Sequence, residues 1–441
     1  MNLLQLVDVR TAYLSKVARR SPDFPVTIAL EIAVPQPQVL KNISMDAQNL
    51  AFISSASSRE NQSDLEAALN LLEMGDFHDR WDAVKIISAG GDEAIALLLP
   101  LLETEDWELQ WFIVRILGNL QNPTIIPTLV ELIKASHADV AGMAAGVLAS
   151  FGEKAIAPLA ALLDHEPTQL LVMQALAQIH HPLVIPHLLY EVEAADVRAV
   201  AIEALGHFHQ APEILPVLIA ALQDPAAKVR RAAVVGLGFQ ADEAQQADRI
   251  ADLQPLLQDG DEEVAQQTAI ALGRMGTPAA VAVLNQALLN PALQLLRPGL
   301  AIEIIRAIAR VGIDLEGLQT YLQNGTPLGK QEAIAVLGRV ESQQAKAQAA
   351  KILLQCFELQ PEAREKQAIA FSLGQLGQLE ALESLIQLLA DANASVRFHA
   401  IAALKLLDPH AYQRLKVMAG EALSPALQNG VAMALREWGD R

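Results

Sequence analysis

Residues 197–240 read VRAVAIEALGHFHQAPEILPVLIAALQDPAAKVRRAAVVGLGFQ, and the pattern of this stretch decides the fold. In its first part Val197, Val200, Ala201, Ala204, Leu205 and Phe208 recur at steps of three and four, which places them on one face of a helix. That helix reaches Leu205-Gly206. A short turn follows, and a second amphipathic stretch starts at Glu213 with Pro216 in its first turn, where a missing N–H costs little. After Asp224 the pattern begins again and reaches Leu237-Gly238.

Working outward, the same Leu-Gly ending recurs at Gly118, Gly273, Gly338 and Gly374, with degenerate copies at Ser88, Ala149, Ala177, Ala309, Lys405 and Arg436. The twelve anchors are 28 to 36 residues apart and about 32 on average, the length of two three-turn helices and two turns. Early prolines in the second helices recur at Pro127, Pro158 and Pro186. The expected fold is all-α, a solenoid of about 11–12 helix-turn-helix repeats over residues 64–441. Such an array escapes the usual limit on domain size, because each unit buries its apolar face on its neighbour. The chain is 52% hydrophobic and only 4% aromatic, and it is Ala- and Leu-rich, so good helix formers supply most of that core.

Several copies carry an Asp in the turn and an Arg six residues on: Asp224 with Arg230, and Asp391 with Arg397. The sequence suggests that each Asp accepts backbone N–H groups and pairs with that Arg, and that Asp259, followed by Ala265, lacks its partner. The glycine of each Leu-Gly is expected to close its helix.

These features resemble HEAT repeats, and the short Ala-rich units ending in Leu-Gly are similar to the phycobilisome-lyase type of HEAT-like repeat, which is widespread in cyanobacteria. The resemblance covers roughly residues 64–441. It implies a right-handed superhelix and a protein partner, a phycobiliprotein or another component of a photosynthetic assembly. It also implies an alternative role, as a bilin lyase or isomerase subunit.

Residues 1–63 fall outside the repeat. Leu3–Ala18 reads as an amphipathic helix, PVTIALEIAV from Pro25 as an arm, and ISSASSRENQS from Ile53 as a linker, together an N-terminal cap or partner-contacting arm. No secretory leader is recognised at the start, and no run is long and apolar enough to span a membrane, so a cytoplasmic location is expected. The net charge of −19 argues against general nucleic-acid binding. A single cysteine, Cys356, excludes an internal disulfide framework and thiolate metal cages, and its apolar helix marks it as a small buried hydrophobe.

No nucleotide-binding loop is present, so no cofactor and no catalytic residue is expected. Six histidines cluster between His165 and His209, yet no ligand partners stand at metal spacing, and the histidines read as solvated turn residues. The residues after the anchors form one row in a regular stack: Asn119, Ser150, Gln178, His207, Phe239, Arg274, Arg310, Arg339 and Gln375. Three consecutive arginines there, with Arg306 one turn back, suggest a basic stripe on an acidic protein that could hold carboxylates by bidentate pairing. The local reading is that these cations complement helix C-termini and pair with nearby Glu. Trp107 and Trp111, four apart beside Phe112, are expected to divide between core and surface. Trp111 with Arg115, one turn on, joins His207 and the arginines as the candidate partner-binding set.

Overall fold

A computed structural model describes residues 64–441 apart from 191–192, 209–210, 212, 240–245, 360, 408–409, 422 and 440–441. The cap, arm and linker expected in residues 1–63 lie outside the described residues. Among the described residues there is no strand, and the helices form two layers. One layer holds the twelve Leu-Gly helices: α1 Phe77–Ala89, α2 Trp107–Leu120, α3 Ala138–Ser150, α4 Gln169–Gln178, α5 Ala195–Leu205, α6 Ala227–Phe239, α7 Glu262–Met275, α8 Pro298–Val311, α9 Pro327–Leu337, α10 Ala363–Leu376, α11 Ala394–Leu406 and α12 Pro425–Gly439. Each packs on the next, so this layer is continuous from α1 to α12. The fold is an α-solenoid.

The second layer is shorter and more broken. Ile185–Leu188 is a single turn, and Gln246–Leu253 and Leu382–Gln387 pass into 3₁₀ turns. Pro127 and Pro186 occupy first-turn positions as expected, but Pro158 lies inside Glu153–Ala160, which ends two residues later. The two 36-residue anchor spacings have separate causes. An extra helix, Pro291–Leu296, is inserted before α8, and the helix before α10 is extended to Gln343–Glu358.

Four of the six Leu-Gly glycines do not close their helices; Gly206 and Gly338, the C-caps of α5 and α9, are the two that do. Gly118, Gly273 and Gly374 lie inside α2, α7 and α10, and none of the Leu-Gly glycines has positive φ. The left-handed closing residue comes three positions later, as Gly276, Gly312 and Gly377 (φ near 65°) and as Gln121 after α2. What the Leu-Gly glycine provides is close approach. A Cβ on Gly206 would stand 2.6 Å from the Gly236 Cα, and one on Gly273 would stand 2.8 Å from the Ala307 Cβ. At Gly338 and Gly374 it would collide with Ser372 and Ala403 of the next Leu-Gly helix. The Leu of the pair turns into the core, where Leu117, Leu205, Leu237, Leu272 and Leu337 are fully buried, each worth roughly 1.5–3 kcal/mol.

The ionic ladder also runs differently from the spacing-based expectation. Arg230 makes a bidentate pair not with Asp224 but with Asp259 of the following unit (Nε–Oδ2 2.8 Å, Nη2–Oδ1 2.7 Å). Asp224 is taken by Arg198 of the preceding unit (2.9 and 3.0 Å), Asp106 by Arg80 (2.6 Å) and Asp391 by Lys366 (2.8 Å). The Arg six residues after the Asp donates instead to backbone carbonyls: Arg230 to Asp224 O and Arg397 to Asp391 O, both at 2.8 Å. Each Asp therefore ties two units together while its Oδ1 accepts a turn N–H, as Asp259 does from Asp261 (2.8 Å). The ladder lapses where α7 and α8 carry Ala265 and Ala301 in the arginine's register. There Arg297 reaches across to the Asp259 carbonyl at 2.5 Å.

Candidate functional site

The Leu-Gly helices bury one face on the second layer and on each other and leave one face open. On α2 the open stripe is Trp107, Trp111, Arg115 and Asn119, a residue every helical turn. On α8 it is Ile302, Arg306 and Arg310. Contacts between neighbouring stripes follow the row that the sequence spacing defines. Asn119 donates to the Ser88 hydroxyl at 3.2 Å, the Arg274 guanidinium lies 4.6 Å from the Phe239 ring centre, and Arg306 reaches Glu332 at 2.8 Å.

The four arginines of the stripe are not equivalent. Arg306 is held by Glu332 and by Glu303 (2.7 Å), and the hydrogen bond it donates to Glu332 outweighs burial in keeping its guanidinium firmly charged. For Arg306 the local reading therefore holds. Arg274, Arg310 and Arg339 are exposed, and among the described residues none of them forms an ion pair. Arg274 has Phe239 beneath it instead. His207 is exposed, with its ring 6.4 Å from that of His180 in the preceding turn.

At the other end of the stripe the structure assembles a cluster that the sequence showed only in part. Phe112, not a tryptophan, is the core residue of the Trp107–Phe112 group, and it is fully buried. Trp107 is 43% exposed and stacks on His137 at 4.8 Å, while Trp111 is half-buried. The two tryptophans divide between core side and surface as expected, since Trp111 packs against the core and Trp107 does not, but the fully buried member of the group is Phe112. From α1 come Phe77 and Trp81, which meet the Phe112 ring at 5.2 and 6.2 Å. Arg115 lies between the indoles, 4.6 Å from the Trp81 ring centre and 5.6 Å from that of Trp111. Burial alone pulls its guanidinium below the usual arginine value. Phe77 and Trp81 carry a sequence signal that was not used. Trp81 stands 30 residues before Trp111, and its anchor Ser88 stands 30 before Gly118, so the two indoles share one register position.

The remaining chemistry-bearing residues do not converge. Among the described residues no set of three or more His, Cys, Asp or Glu side chains is close enough to hold a metal ion. His181 faces Glu153 at 3.8 Å, and His165 bonds the Thr168 hydroxyl at 3.0 Å. Cys356 is half-buried, and burial pushes its thiol upward. No helix among the described residues is long and apolar enough to cross a membrane.

Comparison with known proteins agrees with this architecture. A family model for HEAT repeats matches residues 95–179, 185–249 and 350–436, more than half of the chain, and one for the PBS lyase HEAT-like repeat matches residues 264–290. No curated protein matches the chain. Among solved structures it is similar to one describing the binding of Kap95p to RanGDP, at 13% identity and a TM-score of 0.57, covering 90% of this chain and 65% of that one. It is also similar to importin beta, at 15% identity and a TM-score of 0.48, covering 86% of this chain and 62% of the other. The chain thus spans less than two-thirds of the length of either.

Proposed function

This chain belongs to the HEAT-repeat family, and on that premise we propose that it is a non-catalytic scaffold that binds a protein partner along the open face of its Leu-Gly helices. The observation that carries this reading is the row of uncompensated cations on that face. Arg274, Arg310 and Arg339 point outward without an ion pair among the described residues, in a chain with 51 acidic and 32 basic residues. Cations so placed cost nothing to desolvate until a partner arrives, and each then offers a two-pronged contact to a carboxylate. The close approach of the Leu-Gly helices supports placing this layer on the inner side of the stack, where a solenoid offers its longest continuous binding surface. Kap95p, similar to this chain in fold, binds a protein, RanGDP.

A phycobiliprotein is the first partner to test, on the strength of the repeat match at residues 264–290. The second reading, a bilin lyase or isomerase subunit, draws on the same match. The test is an affinity pull-down from a cyanobacterial lysate at low and moderate salt, with wild type beside the triple variant Arg274→Glu, Arg310→Glu, Arg339→Glu. The scaffold reading expects a defined partner with wild type, weakened by salt and lost in the variant. Equal capture by both proteins removes the stripe from the binding surface. Free bilin added to the captured complex separates the two roles, since a lyase changes the bilin absorption spectrum and a scaffold leaves it unchanged.

A further inference from the structure

The ladder arginines show what this chain does with a partly buried guanidinium. Arg80, Arg198 and Arg230 are each matched to an Asp of the neighbouring unit. Arg115 breaks that rule. It is half-buried, and among the described residues it has no carboxylate partner, its charge facing two indole rings instead. Beside it Trp81 is 38% exposed, and Phe77, stacked on Trp81, is 48% exposed. Two of the four tryptophans of the chain, Trp81 on α1 and Trp111 on α2, thus flank a cation with no anion among the described residues. Indole faces attract the cation but do not neutralise it, so the cluster is complete only when a negative group from outside meets the guanidinium.

We infer that the Phe77–Trp81–Trp111–Arg115 cluster is the anchor site for an acidic peptide segment of the partner, with a carboxylate on the Arg115 guanidinium and a neighbouring aromatic or aliphatic side chain laid on Phe77 and Trp81. This inference rests on the reading that the open face binds protein, and it adds the chemistry of the partner. The cluster is complementary to such a segment in both respects. The partly desolvated cation selects a carboxylate, and the exposed rings select an apolar neighbour, the combination of Trp and Arg that dominates binding energy at interfaces. Further along the same face Arg274, Arg310 and Arg339 extend the preference for negative charge. A nucleic acid would bring one phosphate to Arg115 and a run of others to a chain of net charge −19.

The experiment uses the full chain and a short fluorescein-labelled peptide of aspartates around one phenylalanine, followed by fluorescence anisotropy. Two analogues, one with every Asp changed to Asn and one with Phe changed to Ser, separate the charged from the apolar contribution. Wild type is expected to bind the acidic aromatic peptide saturably and to bind each analogue about tenfold or more weakly. Arg115→Gln is expected to lose a similar factor, Arg115→Lys to recover only part of it because the ammonium lacks the planar fork, and Trp81→Leu to weaken the acidic peptide while leaving the Ser analogue unchanged. Helical circular dichroism is recorded for every variant. Equal binding by wild type and Arg115→Gln overturns the anchor, as does equal binding of the acidic and Asn peptides. Loss of binding in Arg115→Gln accompanied by loss of helicity, with Trp81→Leu unaffected, marks the arginine as a structural pillar and also overturns it. The pull-down with the triple variant reads the face as a whole, so failure of the anchor and failure of the face appear in different experiments.

Discussion

Replacing Gly206 with alanine puts a methyl group 2.6 Å from the Cα of Gly236 in the next Leu-Gly helix. Carbon atoms rest at about 3.5–4.0 Å, so the overlap is about an ångström. The obstacle is backbone, which no rotamer change can move, so α5 and α6 must separate. Overpacking of this kind costs about 1–3 kcal/mol. Alanine returns at most about 1 kcal/mol of helix propensity, and less here because Gly206 is the cap after Leu205 and not an interior residue. The net expectation is a loss of about 1–2 kcal/mol. Gly146 is the internal control. It lies inside α3, nothing is within 4 Å of an added Cβ, and its φ is not positive. Gly146→Ala should therefore gain about 0.5–1 kcal/mol from the unfolded state. Urea denaturation of both variants reads the two signs, and hydrogen exchange localises the effect. In a nearest-neighbour array the loss at Gly206 should appear first as faster exchange in α5 and α6. If Gly206→Ala is as stable as Gly146→Ala, the glycine is not there for close approach and the account of the Leu-Gly layer fails.

Three further outcomes follow from the same structure. Arg230→Met leaves Asp259, with only 9% of its side chain exposed, without its bidentate partner, and should cost about 1–3 kcal/mol in urea denaturation, whereas Arg231→Met, removing an exposed pair with Glu263, should cost less than about 1 kcal/mol. Asp106 and Asp259 are held below the usual carboxylate range, chiefly by hydrogen bonds from Arg80 and Arg230. Because the folded values are depressed, the stability they contribute is complete above about pH 4 and is lost as pH falls through the folded values, so acid unfolding followed by circular dichroism should start below about pH 4 and be shallower in Asp259→Asn. Cys356, whose thiol burial pushes upward, should react with a disulfide reagent at neutral pH more slowly than free cysteine and reach the free rate in urea.

The helical periodicity and the Leu-Gly anchors were legible because burial on a neighbour is written into every copy, and each of the twelve anchors falls in the last turn of a helix or just beyond its end. The role of the glycine was not legible. A helix-closing glycine and a close-approach glycine read alike until the facing residue is known, and that residue, such as Ala307 opposite Gly273, lies a full unit away. The ladder was misread for a related reason. Asp224 and Arg230 are six residues apart and look like partners, but the guanidinium of Arg230 reaches Asp259, 29 residues on. On the open face, the row of Arg274, Arg310 and Arg339 could be written down from the anchors alone. Its pairing could not, since only the structure shows Glu332 paired with Arg306 and, among the described residues, no carboxylate paired with Arg310. The α1 side of the aromatic cluster was missed because Trp81 belongs to a degenerate repeat ending at Ser88, where no Leu-Gly draws attention to the register.

The central claim is that the open face of the Leu-Gly layer carries the partner, and site-specific photocrosslinking tests it most directly. A benzophenone amino acid is placed at Gln178 or Gln375, both exposed in the row, and separately at Glu131 or Gln323, both exposed on the second layer. The account predicts that the captured partner crosslinks to the first pair and not to the second. Crosslinks confined to Glu131 and Gln323 would place the partner on the opposite layer and contradict it.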